Sequence, residues 1–512
     1  MFKKSEIVGV VRNLNLGSSV AELDGLLESA RVETSVFADL LNDKVDLIPG
    51  TKGSGKSALF RMFVDFLPSL LLKQNKVVIA HGIEKQGDIV FHAYKDQFEI
   101  LDEDEFVSFW CIYLVSLAHE QFVKGKSFQS YLKGATQEVD DFRRACSKAG
   151  IPEIKAKKSL SEILAWTLSV LKRIRPKLTY KLPGDGGELG LDLLGNLTEP
   201  QLAVTNGGGS HTLPTDISNI RIALEKILQQ TRLNLWLMVD RLDEIFPRRS
   251  DMENRALRGL LKSLRYFSSD LIRVKIFLRD DILEQIVSSG QGFTALTHVT
   301  ARQADTLRWS EDQILTMIVK RIYANEHIAD FLHVNSARLN ASLDYRREAF
   351  YKIFPKTVHR GKNQSTTLGW IYSHTKDGRG VVTPRDVIDL LIKARQKEQD
   401  DLGSDPTGDT DWLIGASAII YGHSELSIRK RTTYLQAEFP HLWEDIKKFI
   451  GGKTEYDDSA LHRVLGKNWE RVAEHLISIG LISKSVRRSG NVYWFPFLYR
   501  RGLDLSQGSA SA

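Results

Sequence analysis

A glycine-rich string near the start of the chain has the residue types and spacing to hold a phosphate. It runs through Gly50, Thr51, Lys52, Gly53, Ser54, Gly55, Lys56, Ser57 and Ala58 and fits the pattern G-x-x-x-x-G-K-[ST]. Glycines let the backbone curl so that successive N–H groups point inward around a phosphate, and the start of the following helix adds its positive dipole end. Lys56 can reach the β- and γ-phosphates, and the Ser57 hydroxyl can ligate Mg²⁺. We therefore predict that this loop binds ATP and Mg²⁺, rather than being a chance glycine-rich turn.

Acidic residues follow the apolar segment from Leu235 to Val239. Asp240 comes at the carboxyl end of this predicted strand, where an open parallel sheet binds ligands, and it would hold Mg²⁺ directly or through water. Asp243 or Glu244 could orient or deprotonate an attacking water, and we favour Glu244 for its longer reach. The alternative is that these acids only cap the next helix.

The form hhhhDxxDE after such a loop resembles the STAND and NACHT-like signalling ATPases and the origin-recognition-like AAA+ ATPases. In the common AAA+ form a glutamate directly follows the aspartate, but Arg241 occupies that position here, so the resemblance leaves the catalytic acid open. The resemblance implies that Arg279 is a sensor-1 group directed at the γ-phosphate, with a surface Arg–Asp pair as the alternative.

The resemblance extends to a predicted helical lid that begins near Leu307–Ser310. Thr383 can cap a helix and Pro384 suits its first position, so Arg385 resembles a sensor-2 arginine that faces the nucleotide from the lid. An ordinary capped helix with a surface arginine is the alternative.

The whole chain resembles a bacterial group of P-loop ATPases of largely unassigned role, which share the loop, an Asp-x-Leu-Asp-Glu motif and a C-terminus like that at 498–503. Related ATPases often occur in prophage, mobile-element or phage-defence settings. The resemblance implies a homo-oligomer or a partner protein, because this class often completes its site across a subunit interface. A neighbouring subunit could supply an arginine finger, and the candidates are Arg248, Arg249, Arg255 and Arg258. For each of them, a position on a solvated basic face is at least as good an explanation.

Strands that alternate with helices predict an α/β fold, namely a P-loop NTPase parallel sheet with helices on both faces. The additions are a long, mostly helical insertion, a helical lid and a C-terminal winged-helix-like domain. The predicted boundaries are an N-terminal arm with a helix (1–45), the ATPase core (46–300, with the insertion at about 84–215), the lid (301–395), a polar linker (396–410), the winged-helix-like domain (411–505) and a disordered tail (506–512). The predicted N-terminal helix carries Val20, Leu23, Leu26 and Leu27 at helical spacing.

The winged-helix prediction depends on the order of elements after residue 411. A helix, a glycine stop at Gly480, a short strand, a basic turn and a second strand follow one another. In winged helices the wing often touches DNA phosphates, so Lys484, Arg487 and Arg488 could contact double-stranded DNA. Packing against protein is the alternative use of such a domain.

The composition is that of an ordinary globular chain. The 512 residues carry a net charge of +6, which permits nucleic-acid contact without requiring it. The two cysteines cannot form a disulfide framework, and no apolar run reaches the ~18–20 residues of a membrane helix. With no cleavage-site pattern near the N-terminus, we predict a cytoplasmic protein.

Three functions fit these patterns. The first is an ATP-hydrolysing switch that acts on a protein or DNA partner. The second is a DNA-binding AAA+ ATPase of the origin-recognition or transposition-regulator kind. The third is a nucleotide-holding scaffold without significant turnover.

Overall fold

The computed structural model describes residues 2–82, 98–124, 129–149, 213–245, 250–267, 269–288, 300–487 and 490–510. Its strands are β1 (Phe2–Lys3), β2 (Leu47–Gly50), β3 (Val77–Gly82), β4 (Asn234–Val239), β5 (Ile272–Arg279), β6 (Asp409–Thr410), β7 (Lys453–Tyr456), β8 (Ser483–Arg487), β9 (Gly490–Trp494) and β10 (Ser506–Ser509). Its α-helices are α1 (Lys4–Asn13), α2 (Ser35–Leu41), α3 (Lys56–Arg61), α4 (Pro68–Gln74), α5 (Glu103–Lys124), α6 (Gln129–Leu132), α7 (Thr136–Lys148), α8 (Leu213–Thr231), α9 (Leu242–Ile245), α10 (Asp251–Phe267), α11 (Asp280–Ser288), α12 (Glu311–Tyr323), α13 (Glu326–Phe331), α14 (Ser336–Ala341), α15 (Leu343–Ile353), α16 (Thr367–His374), α17 (Pro384–Ser404), α18 (Ala416–Lys430), α19 (Pro440–Ile446), α20 (Asp458–Leu465), α21 (Trp469–Ser478) and α22 (Phe497–Arg500).

The chain divides into two units. The sheet unit comprises Val36–Thr51 and Leu59–Leu307, and the helical unit comprises Met1–Ser35, Lys52–Ala58 and Arg308–Ala512. No helix among the described residues is long and apolar enough to cross a bilayer.

The sheet unit is built on a parallel sheet with the strand order β2-β5-β4-β3. Strand β5 lies between the strand that precedes the glycine-rich loop and the strand that precedes the acidic residues. Gly50 pairs with Arg279, and Val239 pairs with Ile276. Because the strands are parallel, their carboxyl ends meet at one edge of the sheet.

The side chains of each strand alternate between the two faces of this sheet, and helices cover both faces. On one face, Phe60 and Phe63 contact Phe277 and Trp236, with ring centroids 5.6 and 6.1 Å apart. On the other face, Leu235 and its neighbours share a core with α5, α8 and α10. The predicted α/β class, a parallel sheet with helices on both faces, is confirmed.

Helix α5 lies within the predicted insertion but belongs to the core of the sheet unit. The Trp110 indole Nε1 donates to the Ala256 carbonyl on α10 at 2.7 Å. At Gly259 of α10, a Cβ atom would lie 2.6 Å from the Phe106 Cβ, so the two helices need a glycine to approach this closely. The sequence predicted a mostly helical insertion here, but it could not show that this helix covers the sheet. The rest of the predicted insertion lies largely outside the described residues.

The helical unit contains the N-terminal segment, and the helix predicted around residues 20–27 is wrong. Only a 3-10 turn, Ala21–Leu23, forms there, and Leu23 is 75% exposed. The carboxylate of Asp24 accepts hydrogen bonds from the backbone N–H groups of Ser18 and Leu26 and from the buried Arg321 guanidinium. These bonds hold the segment as a turn, because a side chain that bonds nearby backbone groups competes with the helix.

The predicted linker at 396–410 is also corrected. Helix α17 continues to Ser404, with Leu402 buried on its inner face. The Gly415 N–H donates to the Glu398 carboxylate at 2.7 Å, and β6 pairs antiparallel with β1. The polar residues here are the solvent side of an amphipathic helix, which composition alone does not distinguish from a linker.

The C-terminal elements follow the predicted order, with α20 and α21 before the antiparallel strands β8 and β9. The tail predicted to be disordered forms β10, which pairs parallel to β7 in the order β10-β7-β9-β8. Small polar residues can pair there through their backbone because the edge of β7 offers unpaired groups. A winged-helix-like character for this region stays a prediction.

Candidate functional site

The glycine-rich loop has the bent backbone that its sequence predicts. After β2 ends at Gly50, Gly53 and Gly55 adopt positive φ angles of +82° and +101°, and α3 begins at Lys56. Only glycine enters this region without a steric penalty. The first N–H groups of a helix have no partner within the helix. The loop therefore presents several N–H groups over a short distance, as an anion requires.

Arg385, the predicted sensor-2 residue, lies against this loop within the helical unit. A Cβ atom added at Gly53 would lie 3.1 Å from the Arg385 Cβ and 3.3 Å from the Thr383 Oγ1. The Thr383 hydroxyl accepts the Asp386 N–H at 3.2 Å, and Pro384 occupies the first turn of α17. Helix capping thus fixes the position of Arg385, as the sequence predicts. Its role toward a nucleotide stays a prediction.

Two further side chains reach the loop, and no sequence pattern predicted either contact. The Trp309 indole Nε1 donates to the Ser54 carbonyl at 2.7 Å. The Lys52 ammonium forms an ion pair with Glu438, 386 positions away. The Ser54 side chain is fully buried, and its hydroxyl has no hydrogen-bond partner among the described residues. No local sequence signal links Glu438 to the loop, because the contact depends on how the helices pack.

At the carboxyl edge of the sheet unit, Asp240 is 3% exposed. The next residue, Arg241, has a φ of +61°, a left-handed conformation that costs a residue with a side chain about 1–2 kcal/mol. Strained backbone of this kind clusters at functional sites. The turn at Arg241 starts α9, which carries Asp243 and Glu244 in its first turn.

The two candidate catalytic acids have different partners. The Arg279 guanidinium bonds both carboxylate oxygens of Asp281, at 3.0 and 2.8 Å, and lies 3.8 Å from the Asp243 carboxylate. Glu244, whose side chain is 53% exposed, pairs with Arg241 at 3.3 Å. Arg279 and Asp243 are thus brought together at the sheet edge. Which acid acts in catalysis stays a prediction.

The candidate arginine fingers Arg255 and Arg258 both hold the start of α5. Arg255 donates to the carbonyls of Leu101 and Glu99, and Arg258 pairs with Glu103 at 2.9 Å. These contacts give both side chains an internal structural role. The other two candidates, Arg248 and Arg249, lie outside the described residues.

The predicted DNA-contacting residues lie on the hairpin of β8 and β9. The Lys484 ammonium lies 5.4 Å from the Tyr493 ring centroid, and Arg487 pairs with Glu455 at 3.3 Å. Val486 between them is 80% exposed. Arg488 lies outside the described residues.

The residues present fit a nucleotide with Mg²⁺. Mg²⁺ prefers oxygen ligands; Ser57 offers a hydroxyl within the helical unit, and Asp240 offers a carboxylate within the sheet unit. The Ser54 hydroxyl is buried without a hydrogen-bond partner among the described residues, and Gly53 and Gly55 bend the backbone, which suits a phosphate. The loop residues from Gly50 to Ala58 would hold the phosphates.

The comparisons with known proteins give structural similarities only. No family model matches the sequence, and no curated protein matches it. The Walker-type ATPase PABY2304 of Pyrococcus abyssi is 12% identical, with 97% of this chain and 100% of that chain covered and a TM-score of 0.37. The ORC2 protein of Aeropyrum pernix, in its ADPNP–ADP complexes, is 12% identical, with 94% of each chain covered and a TM-score of 0.27. At these TM-scores neither similarity bears on function.

Proposed function

We propose that this protein binds ATP with Mg²⁺, hydrolyses the ATP, and uses the cycle as a conformational switch. Lys56 and the loop N–H groups bind the phosphates, while Ser57 and Asp240 are the Mg²⁺ ligands. Glu244, or else Asp243, orients the attacking water, and Arg279 and Arg385 contact the γ-phosphate. Bound Mg²⁺ would neutralise charge on the phosphates.

The switch is proposed from the contacts that other segments of the helical unit make with the loop. Three well-separated segments reach residues 52–55 there, through Trp309, Arg385 and Glu438. A triphosphate bound at the loop must change the electrostatic environment of Arg385 and Glu438. Occupancy of the loop therefore biases the positions of helices that do not themselves bind the nucleotide, which is what a ligand-driven switch requires.

Nucleotide binding and turnover by the purified protein test this proposal. Lys56→Ala should abolish ATP binding, whereas Glu244→Gln should retain binding and slow hydrolysis at least about 100-fold, the scale for losing a positioned catalytic group. Asp243→Asn is the matched variant, because it removes a neighbouring carboxylate from the same helical turn. If Asp243→Asn abolishes turnover and Glu244→Gln does not, Asp243 is the catalytic acid.

A DNA-binding ATPase is the second candidate, and the β8–β9 hairpin favours it. The hairpin presents Lys484 and Arg487 on either side of the exposed Val486. DNA should then raise the ATPase rate, and binding should weaken steeply with salt. Lys484→Ala should reduce the slope of log affinity against log salt by about 1. A switch that acts only on proteins predicts neither effect.

A scaffold that holds nucleotide without turnover predicts a different result from the same variants. Lys56→Ala would still abolish binding, but Glu244→Gln and Asp243→Asn would change nothing measurable. A homo-oligomer or a partner protein, and a role in phage defence or mobile elements, belong to this proposal through the family resemblance alone.

A further inference from the structure

The hydrogen bond from Trp309 fixes the orientation of one peptide group in the loop. The indole N–H donates to the Ser54 carbonyl at 2.7 Å, and no cis peptide bond occurs among the described residues. In a trans peptide the C=O and the N–H of the next residue point in opposite directions. With the Ser54 carbonyl held toward Trp309, the Gly55 N–H therefore points away from Trp309.

Rotation of this peptide is otherwise easy, because it changes only ψ of Ser54 and φ of Gly55. Gly55 has a φ of +101°, and glycine occupies positive and negative φ about equally well. An unrestrained Ser54–Gly55 peptide could turn its carbonyl oxygen toward a bound phosphate and repel it. A fixed donor on the carbonyl side removes that alternative.

Trp309 is itself held firmly enough to act as such a donor. The next residue, Ser310, caps α12 in a capping box with Gln313. The Tyr372 hydroxyl donates to the Trp309 carbonyl at 3.0 Å. Burial raises the pKa of Tyr372, so its hydroxyl stays protonated and continues to donate. The backbone of Trp309 is thus restrained on both sides.

We propose that Trp309 is a positioning residue that turns the Ser54–Gly55 peptide so that the Gly55 N–H faces the bound phosphate. This inference rests on the proposed function, since it assumes that the loop binds a nucleotide. Trp309 contributes no direct contact to the ligand. It removes the cost of ordering the peptide when the phosphate binds, which is preorganisation.

The competing explanation is that Trp309 only docks α12 against the loop as a packing contact. A packing role predicts a loss of stability with no preference for phosphate. A positioning role predicts that affinity falls for every ligand held through its phosphates, with little change in the melting temperature.

Trp309→Phe tests the proposal, because it keeps an aromatic ring and removes the N–H. We expect Trp309→Phe to weaken ATP and pyrophosphate binding by the same factor, about tenfold, the scale of one hydrogen bond to a charged group. Replacing Trp309 with benzothienylalanine, which has the indole shape without an N–H, should give the same loss and protects against a folding defect of the phenylalanine variant. Trp110→Phe is the matched control, since it removes an indole N–H bond of the same length to the Ala256 carbonyl.

The measurements are equilibrium titrations of each variant with ATP and with pyrophosphate, together with thermal melting. Equal losses for both ligands at Trp309, with none at Trp110, support the proposal. Unchanged affinity in the benzothienylalanine protein overturns it, and so does a loss for ATP without a loss for pyrophosphate. If the unaltered protein binds neither ligand, the proposed function itself fails, and this inference fails with it. Binding by the unaltered protein and its loss in Lys56→Ala establish the site independently of Trp309.

Discussion

The ion pair between Lys52 and Glu438 predicts that the C-terminal helices oppose nucleotide binding. The Glu438 carboxylate pairs with the Lys52 ammonium and places a negative charge beside a loop that has to accept a triphosphate. A six-residue π-helix, Arg431–Gln436, ends two residues before Glu438, and π-helical turns frequently mark functional sites. Glu438→Gln should therefore increase the affinity for ATP.

The size of the effect follows from the exposure of the two side chains. Lys52 is 39% exposed and Glu438 is 16% exposed, so solvent screens the pair and its contribution is about 0.2–1 kcal/mol. Releasing that energy should lower the Kd for ATP by roughly 1.4- to 5-fold. In ~1 M salt the Debye length falls to ~3 Å, so the difference between the two proteins should nearly vanish.

The assay is an equilibrium titration with a fluorescent ATP analogue at low and high salt. Glu444→Gln is the matched control, because it makes the same chemical change to a glutamate that pairs with Lys447 at 2.7 Å on an exposed surface. Hydrogen exchange of residues 431–439 should also rise when ATP binds, since the phosphate competes for Lys52. An unchanged or weaker affinity in Glu438→Gln, or an equal gain in Glu444→Gln, would show that the Lys52–Glu438 ion pair does not oppose ATP binding.

Three further predictions test other parts of the structure. Gly53→Ala forces a left-handed φ of +82° onto a residue with a side chain, whose Cβ would lie 3.1 Å from the Arg385 Cβ. ATP affinity should fall by roughly 5- to 160-fold, from about 1–3 kcal/mol of strain, whereas Gly9→Ala, with open space around its Cβ, should not change binding. Asp24→Ala leaves the buried Arg321 without its carboxylate and should lower the free energy of unfolding by about 3–5 kcal/mol, measured by denaturant titration. Burial, and secondarily a neighbouring histidine, lower the pKa of His374 to about 3. Between about pH 6.5 and 3 the unfolded state therefore binds a proton that the folded state does not, and stability falls as the pH falls, by up to ~1.4 kcal/mol per pH unit. His374→Phe should make this dependence shallower in urea melts at several pH values, and an unchanged slope would argue against it.

Local sequence patterns predicted the elements that carry the candidate site. The glycine spacing of the loop and the apolar strand before Asp240 both lie where the sequence places them. These predictions succeeded because each depends on neighbouring residues, through positive φ at glycine or a continuous apolar run. The capped start of α17, which positions Arg385, is equally local.

The sequence misjudged those segments whose structure depends on distant partners. Residues 20–27 looked like an amphipathic helix, but the bonds of Asp24 to Arg321 impose a turn. Residues 396–410 looked like a linker because most of their side chains are polar, although residues up to Ser404 continue a helix with Leu402 buried. The tail from Ser506 to Ser509 became a strand because β7 offers it backbone groups to pair with.

From the sequence alone one could predict that the chain after Gly50 bends at its glycines, and that Asp240 follows a strand of a parallel sheet. The folded structure was needed to show that Trp309 and Glu438 reach the loop, and that Arg279 lies beside Asp243. The reason is the distance along the chain over which each interaction acts. Glycine torsions and apolar runs act over a few residues of the chain, whereas a hydrogen bond or an ion pair between segments hundreds of residues apart exists only once the helices and strands have packed.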